Sequence, residues 1–305
     1  MSESQRTIRI SVTLVTRNRA DHALACAKTI LANEGFDQLF VIDQSDADET
    51  ELAIGTLSDP RLRYIRTESR GVTRGRNLGA QLAQGDVIAF TDDDCRVAPD
   101  WIPALARIFA NDPEVAVVCG SVRVAEAVKD LGFTEHFEPH VREWKGRYPP
   151  FGRDWGITAN LAARLDVLAR VGKFDSMLGA GAPLRSGGEP DLLFRVLRDG
   201  FKVVNATEVW VDHLGVRPHG EEARKLIRGY GLGTGAALFK HIRLGDTAAL
   251  GVYLDFVAAN ARRVFASLVR GKRPDGLGFL LFFLAGALAS YRYRVDRNSR
   301  QYRIS

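Results

Sequence analysis

Cysteine is scarce: the 305 residues contain three, Cys26, Cys95 and Cys119, with no paired spacing. That excludes a disulfide scaffold, and unpaired thiols suit a reducing cytosol. No internal period recurs, and 29 glycines and 11 prolines are ordinary, so solenoid and collagen-like readings also fail. Long apolar runs are missing too. The longest, LGFLLFFLAGALAS, has about 14 residues against the roughly 20 a helix needs to cross a bilayer. The opening MSESQRTIRISVTLVTRN holds an apolar run of only about seven residues, too short for a signal peptide or anchor, and leads to the expectation of a cytoplasmic protein.

What is present is a hydrophobic content of 46%, ample for a packed core, and an uneven charge distribution. Val216–Ser305 carries 16 Lys+Arg against 6 Asp+Glu; the whole chain is +5, so residues 1–215 are net acidic by five. An acidic body argues against nucleic acid as a partner, because phosphate tracking needs a basic face. A basic tail instead suggests an anionic membrane surface, with the protein peripheral on the inner face of the plasma membrane.

The first hundred residues alternate β-branched runs (Ile10–Thr16, Leu39–Asp43, Leu62–Arg66, Asp86–Thr91) with segments of helical period (Ala20–Asn33, Asp48–Leu57, Val72–Gln84). This predicts an α/β fold with a mostly parallel sheet and crossover helices, whose ligands collect at the carboxyl ends of the strands. A further strand is predicted at Val115–Val122, a substrate-facing loop region over residues 123–155, a helix from Pro190 to about Arg198 and a strand near Lys202–Asn205. No linker interrupts residues 1–215, read as one domain; residues 216–305 read as three helical stretches, Glu221–Arg243, Thr247–Leu268 and Leu277–Tyr291.

Polar residues close three of the early strands: Thr16-Arg17-Asn18, Asp43-Gln44-Ser45 and Thr91-Asp92-Asp93-Asp94. Three consecutive carboxylates repel unless a cation neutralises them, and Mg²⁺ or Mn²⁺ takes such oxygens while bridging to phosphate. In a strand, Asp92 and Asp94 share a face and Asp93 points away. Asp43 could accept a hydrogen bond from a base or ribose, or simply cap a turn. Arg70-Gly-Val-Thr-Arg74-Gly-Arg76-Asn77 opens a helix with three arginines suited to phosphate oxygens. Gly187-Gly188-Glu189-Pro190-Asp191 places two carboxylates in a helix's first turn, where one could take a proton from a hydroxyl or merely complement the dipole. His213 stands alone, and a lone histidine is more often structural than ligating. Gly229–Gly235 is glycine-rich but follows a basic helical segment rather than a strand, so close helix packing explains it better than a dinucleotide fingerprint.

In order, these motifs resemble family 2 glycosyltransferases of the GT-A fold from about Ile10 to His213, and bacterial members in the Tyr230–Asp246 stretch. Val41-Ile42-Asp43-Gln44-Ser45 resembles the VDxS second strand, and Gly71–Gly79 the G-x-x-x-A-R-N-x-G segment with Gly75 in place of alanine. Asp92-Asp93-Asp94 is similar to D-x-D, Gly156–Leu161 to a G-x-x-x-N stretch ending at Asn160, and Gly172-Lys173-Phe174-Asp175 to G-x-F-D. The G-E-D-x-D-L motif appears as Gly187-Gly188-Glu189-Pro190-Asp191-Leu192, with Gly188 replacing the glutamate and Glu189 standing at the aspartate.

The resemblance implies an inverting transfer from a nucleoside-diphosphate sugar, UDP foremost, to a saccharide or lipid-linked acceptor hydroxyl in cell-surface polysaccharide or glycolipid synthesis. It implies Glu189 or Asp191 as base; Thr16, Asn18, Asp43, Arg74, Asn77, Asp92, Asp93 and Asn160 at the donor; and Asp94 with His213 on Mn²⁺ or Mg²⁺. Two rivals stand beside it: a nucleotidyltransferase of similar fold, and a catalytically silent nucleotide-sugar-binding protein suggested by Gly188.

Overall fold

A computed structural model describes residues 7–150, 155–218 and 220–303. The opening residues read above as lacking a leader, and residues 151–154 of the substrate-facing loop, lie partly or wholly outside this description. The chain runs β1 (Ile10–Thr16), α1 (Ala20–Leu31), β2 (Gln38–Asp43), α2 (Glu49–Ile54), β3 (Leu62–Arg66), α3 (Val72–Leu82) and β4 (Val87–Asp92). There follow β5 (Cys95–Val97), α4 (Trp101–Asn111), β6 (Val115–Val124), β7 (Phe133–Thr134), β8 (Glu143–Trp144), β9 (Leu161–Arg164) and α5 (Leu165–Val171). The last part comprises α6 (Gly188–Arg198), β10 (Lys202–His213), β11 (Val216–Arg217), α7 (Glu221–Arg243), α8 (Thr247–Val269) and α9 (Leu277–Ser290).

The main sheet has the order β3-β2-β1-β4-β9-β6-β10-β5, with β8 paired to β10. Strands β3, β2, β1 and β4 are parallel, so the first half is the predicted crossover sheet. All seven residues of β1 are buried, as expected of a strand covered by helices on both faces. The antiparallel insertion of β9 between β4 and β6 has no periodic signature in its four residues and was not expected.

Register sets the crevice. Thr16 lies opposite Asp43, and Val15 opposite Asp92, which levels the carboxyl ends of β1, β2 and β4. After Asp92 the chain turns back through Asp93 and Asp94 into β5, which pairs antiparallel with β10 so that Cys95 faces His213. A histidine 119 residues along the chain is thereby placed against Asp94.

Two close approaches depend on missing side chains. A Cβ at Gly75 would sit 2.6 Å from Val15 Cγ1, so the glycine lets α3 lie flat on β1. Gly235 of α7 and Gly286 of α9 each face the other helix's backbone so closely that a methyl would collide with the Phe283 or Leu232 carbonyl. This is the close packing expected of the Gly229–Gly235 run. Helices α7–α9 join the main body: Leu238, Ala249, Phe256 and Phe283 share a hydrophobic core with Phe90, Phe174 and Phe194.

Candidate active site

A cavity of about 670 Å³ opens above the carboxyl ends of β1 and β4. One part of its wall is polar: Thr16, Arg19, Arg76, Asp92, Asp93, Asp94, Glu189 and His213. Another is apolar and aromatic, contributed by Phe137, Trp155, and by Leu226, Phe256 and Phe279 from α7, α8 and α9.

Thr16 Oγ1 donates to Asp93 Oδ2 at 2.8 Å, and Arg19 spans the acidic turn, with Nη1 2.6 Å from Asp93 Oδ1 and Nη2 2.9 Å from Asp94 Oδ2. Burial pushes the Asp93 carboxyl up to about 6, with Arg19 opposing the shift. Burial would raise Asp94 as well, but the hydrogen bond from His213, with that imidazole's charge and Arg19's, holds it well below the usual carboxylate range. His213 Nε2 is 3.1 Å from Asp94 Oδ1, while Nδ1 is 2.7 Å from the Glu135 carbonyl. Burial lowers this imidazole; Asp94 more than reverses the effect, carrying it up to about 9.

Asp94, Cys95 and His213 present ligand atoms within 4.8 Å of one another. Burial and the acidic neighbours push the Cys95 thiol well up, and hard cations such as Mg²⁺ or Mn²⁺ favour oxygen donors over a thiol. Beside them Gly215 keeps a cradle open: a Cβ there would press on Asp94 Oδ2 and come 3.0 Å from His213 Nε2. With Nδ1 on the Glu135 carbonyl, His213 would offer an ion the Nε2 lone pair once the proton shared there with Asp94 is displaced. Carboxylate, imidazole and open cradle fit a divalent cation such as Mn²⁺ or Mg²⁺.

Glu189 lies across the polar wall in the first turn of α6, which the left-handed Gly187 (φ 87°) initiates. Its Oε1 accepts from Thr158 Oγ1 and from Arg76 Nη1 at 3.4 Å. Both contacts fall on one oxygen, so Oε2 has no partner among the described residues. Arg76 Nη2 also holds Asp92 Oδ1 at 2.6 Å.

Six sequence-predicted residues therefore meet at the cavity: Thr16, Asp92, Asp93, Asp94, Glu189 and His213. Six others are placed differently. Asp191 is fully buried, with Arg195, Lys240 and His241 on its two oxygens, because two residues along a helix turn a side chain about 200° away from Glu189; of the two, Glu189 is the one that lines the cavity. Asn160 is buried, accepting from Trp101 Nε1 and donating to the Ser121 and Val209 carbonyls, which makes it a strut between β6, α4 and β10. Asp43 is buried, accepting from Tyr64 Oη and the Ser45 amide, and its neighbour Gln44 lines the cavity instead. Asn77 brackets the Phe174 backbone through both its N–H and C=O, and Asn18 sits exposed in a turn bound to Asp46. Arg74 is off the cavity wall, where Arg76, two positions along α3, takes its place.

Four site residues escaped the sequence reading. Arg76 stood inside a quoted segment and Arg19 directly after one, but only the fold shows which arginines face carboxylates. Glu135 and Tyr230 had no local signal; the loop and α7 bring them together, with Tyr230 Oη donating to Glu135 Oε2 at 2.9 Å. Burial and the charge of Glu189 push the Glu135 carboxyl up to about 7.

Residues 11–162 match the family model for glycosyl transferase family 2. The chain carries a family 2 glycosyl transferase domain. A glucosyl-dolichyl phosphate glucuronosyltransferase of Haloferax volcanii is 28% identical over 194 residues, covering 56% of this chain and 58% of its own. The succinoglycan biosynthesis protein ExoO of Rhizobium meliloti is 33% identical over 111 residues, 35% of this chain and 32% of its own. The chain thus spans well under two thirds of these relatives. Among solved structures, the mannosyltransferase PcManGT of Pyrobaculum calidifontis, in complex with GDP-Man and Mn²⁺, superposes with a TM-score of 0.63 at 18% identity, covering 94% of this chain and 88% of that one. That likeness shows the fold: the domain is GT-A, a mostly parallel central sheet flanked by helices, with additional C-terminal helices.

Proposed function

We propose that the protein is an inverting glycosyltransferase that moves a sugar from a nucleoside-diphosphate sugar to an acceptor hydroxyl. The observation that carries this reading is Glu189 Oε2, without a partner among the described residues, on the same cavity wall as Asp92–Asp94 and His213. Residues 1–215 hold donor and base on this reading, and residues 216–305 close the aromatic part of the wall. The neighbour solved with GDP-Man and Mn²⁺ supports the donor class and a divalent ion; uridine is the expected base.

In the transfer, the acceptor oxygen attacks the anomeric carbon, the bond from that carbon to the diphosphate oxygen breaks, and the nucleoside diphosphate leaves with the electron pair. Glu189 Oε2 takes the acceptor proton. Arg76 and Thr158, both on Oε1, fix the carboxylate so that the free oxygen faces the cavity. Asp94 and His213 would hold Mn²⁺ or Mg²⁺, which when bound stabilises the charge on the departing diphosphate. In-line attack from the opposite face inverts the anomeric centre.

The test is nucleoside-diphosphate release from a panel of nucleotide sugars with Mn²⁺, for wild type, Asp94→Ala and Glu189→Gln. Release from one donor, lost in both variants, supports transfer. Pyrophosphate as product would make the protein a nucleotidyltransferase, and donor binding without turnover a silent binder.

A further inference from the structure

Helix α8 turns a stripe of apolar side chains outward, and the stripe ends in the most exposed group on the helix: Phe265 at 69%, Leu268 at 56% and Val269 at 70%. On α9, Leu281, Leu284 and Leu288 repeat the pattern at spacings of three and four, so that each helix has one face in the core and an equally apolar face outside it. Between Arg262 and Arg273 the chain has five cations and no carboxylate. Arg263 pairs with Asp275 at 2.8 Å. Arg262, Arg270, Lys272 and Arg273 are exposed and have no ion pair among the described residues.

We propose that the α8–α9 corner docks on an anionic lipid bilayer, with Phe265, Leu268 and Val269 entering the acyl boundary and the four cations on the headgroups. Charge complementarity selects this occupant. A two-fold contact with a second copy would bring eight like charges to one interface, whereas lipid phosphates neutralise them. Apolar residues alone would give weak, composition-blind adsorption, and cations alone would give no insertion; their mixture between Arg262 and Arg273, over the last two turns of α8 and the residues that follow, is that of an interfacial segment. No helix among the described residues is long and apolar enough to cross a membrane, so the contact is with one leaflet. Phe256 of α8 and Phe279 of α9 line the cavity, and on the sugar-transfer reading this would bring its aromatic wall towards lipid-borne acceptors.

Docking itself does not rest on that reading. Vesicle sedimentation of the full chain, read without turnover, lets either fail alone. The chain is expected to pellet with phosphatidylcholine vesicles containing phosphatidylglycerol, and to lose binding roughly a hundredfold in Arg270→Glu/Lys272→Glu/Arg273→Glu, at high salt, or with phosphatidylcholine alone. Phe265→Ser/Leu268→Ser should also release it while leaving the far-ultraviolet circular dichroism intact. An environment-sensitive label on Phe265→Cys reports insertion directly and brightens with anionic vesicles only. Equal affinity for both vesicle types, no pelleting with either, or a dimer in light scattering that Phe265→Ser/Leu268→Ser dissolves would each overturn the proposal.

Discussion

Lys240 Nζ lies 2.8 Å from Asp191 Oδ1, with both side chains fully buried and the helices that carry them meeting behind the cavity. The same ammonium sits 2.5 Å from Asp175 Oδ2, and Arg195 and His241 complete the cage around Asp191. Asp175 in turn accepts from the Tyr302 amide. One buried network therefore ties α6, whose first turn holds Glu189, to α7 and to the C-terminal segment.

Removing the central cation would leave the buried Asp175 carboxylate without a counter-ion and Asp191 with Arg195 and His241 alone. Lys240→Met is expected to cost about 3–5 kcal/mol, the usual penalty for breaking rather than replacing a buried ion pair. Urea denaturation measures it. A loss under about 1 kcal/mol would mean that water reaches the cage.

The cage also sets an acid limit on stability. Burial pushes His241 down, and Lys240 and Arg195 add to that, more than Asp191 restores. Asp191, which burial would raise, is held well below its ordinary range by Lys240, Arg195 and His241. In both cases the unfolded chain binds the proton more readily, so stability rises with pH. The His241 contribution is lost as pH falls below about 6.5 and that of Asp191 below about 4. Glu135 and Asp93, whose carboxyls are raised, act with the opposite sign over the same range, so the His241 contribution is read as a difference: below about 6.5 wild type should lose melting temperature relative to His241→Gln. The same pH dependence in both proteins would contradict the burial of a neutral imidazole.

Gly75 stands where the resembling family has alanine, and the structure gives a reason. A Cβ would meet Val15 Cγ1 at 2.6 Å and Cγ2 at 2.9 Å. Gly75→Ala, although it favours helix, should destabilise by about 1–3 kcal/mol through overpacking. Val15→Ala in the same chain should recover most of that loss, because it removes both clashing methyls. Failure of the pair to compensate in a double-mutant cycle would place the cost elsewhere.

How far the sequence could be read follows the range of its signals. The parallel half of the sheet and the helices announce themselves by period, and the Asp92–Asp94 cluster by lying at a strand's end. Glu189 and Asp191 stand two residues apart in the motif, and helix geometry sends one into the cavity and the other into the core. Asn160 and Asp43 are polar residues near the right place whose hydrogen bonds turn out to be spent on the scaffold. Choosing between such neighbours needs the packing partners, and those, like Lys240 for Asp191 or Tyr64 for Asp43, lie far off in the chain or on another strand.

For the proposed base, Glu189→Gln keeps shape and hydrogen bonding while removing proton affinity. Turnover is expected to fall by about 10²–10⁴-fold, with donor affinity by calorimetry nearly unchanged. A variant that retains most of its turnover would move the role to Glu135, the other glutamate on the cavity wall.

Arg76 separates positioning from charge. Its guanidinium reaches Asp92 through Nη2 at 2.6 Å and Glu189 through Nη1 at 3.4 Å, a two-ended contact that a planar fork can make and a point charge cannot. Arg76→Lys preserves the net charge of the cavity and can satisfy one carboxylate at a time; Asp92, at the shorter distance, should win. Glu189 is then held only by Thr158, and its free oxygen samples more orientations. Turnover in Arg76→Lys should consequently fall by at least about tenfold, since misplacing a reacting group by an ångström costs on the order of a hundredfold, while KM for the donor changes little. An unchanged turnover number with a raised KM would instead assign Arg76 to holding the donor and leave the orientation of Glu189 to Thr158 alone.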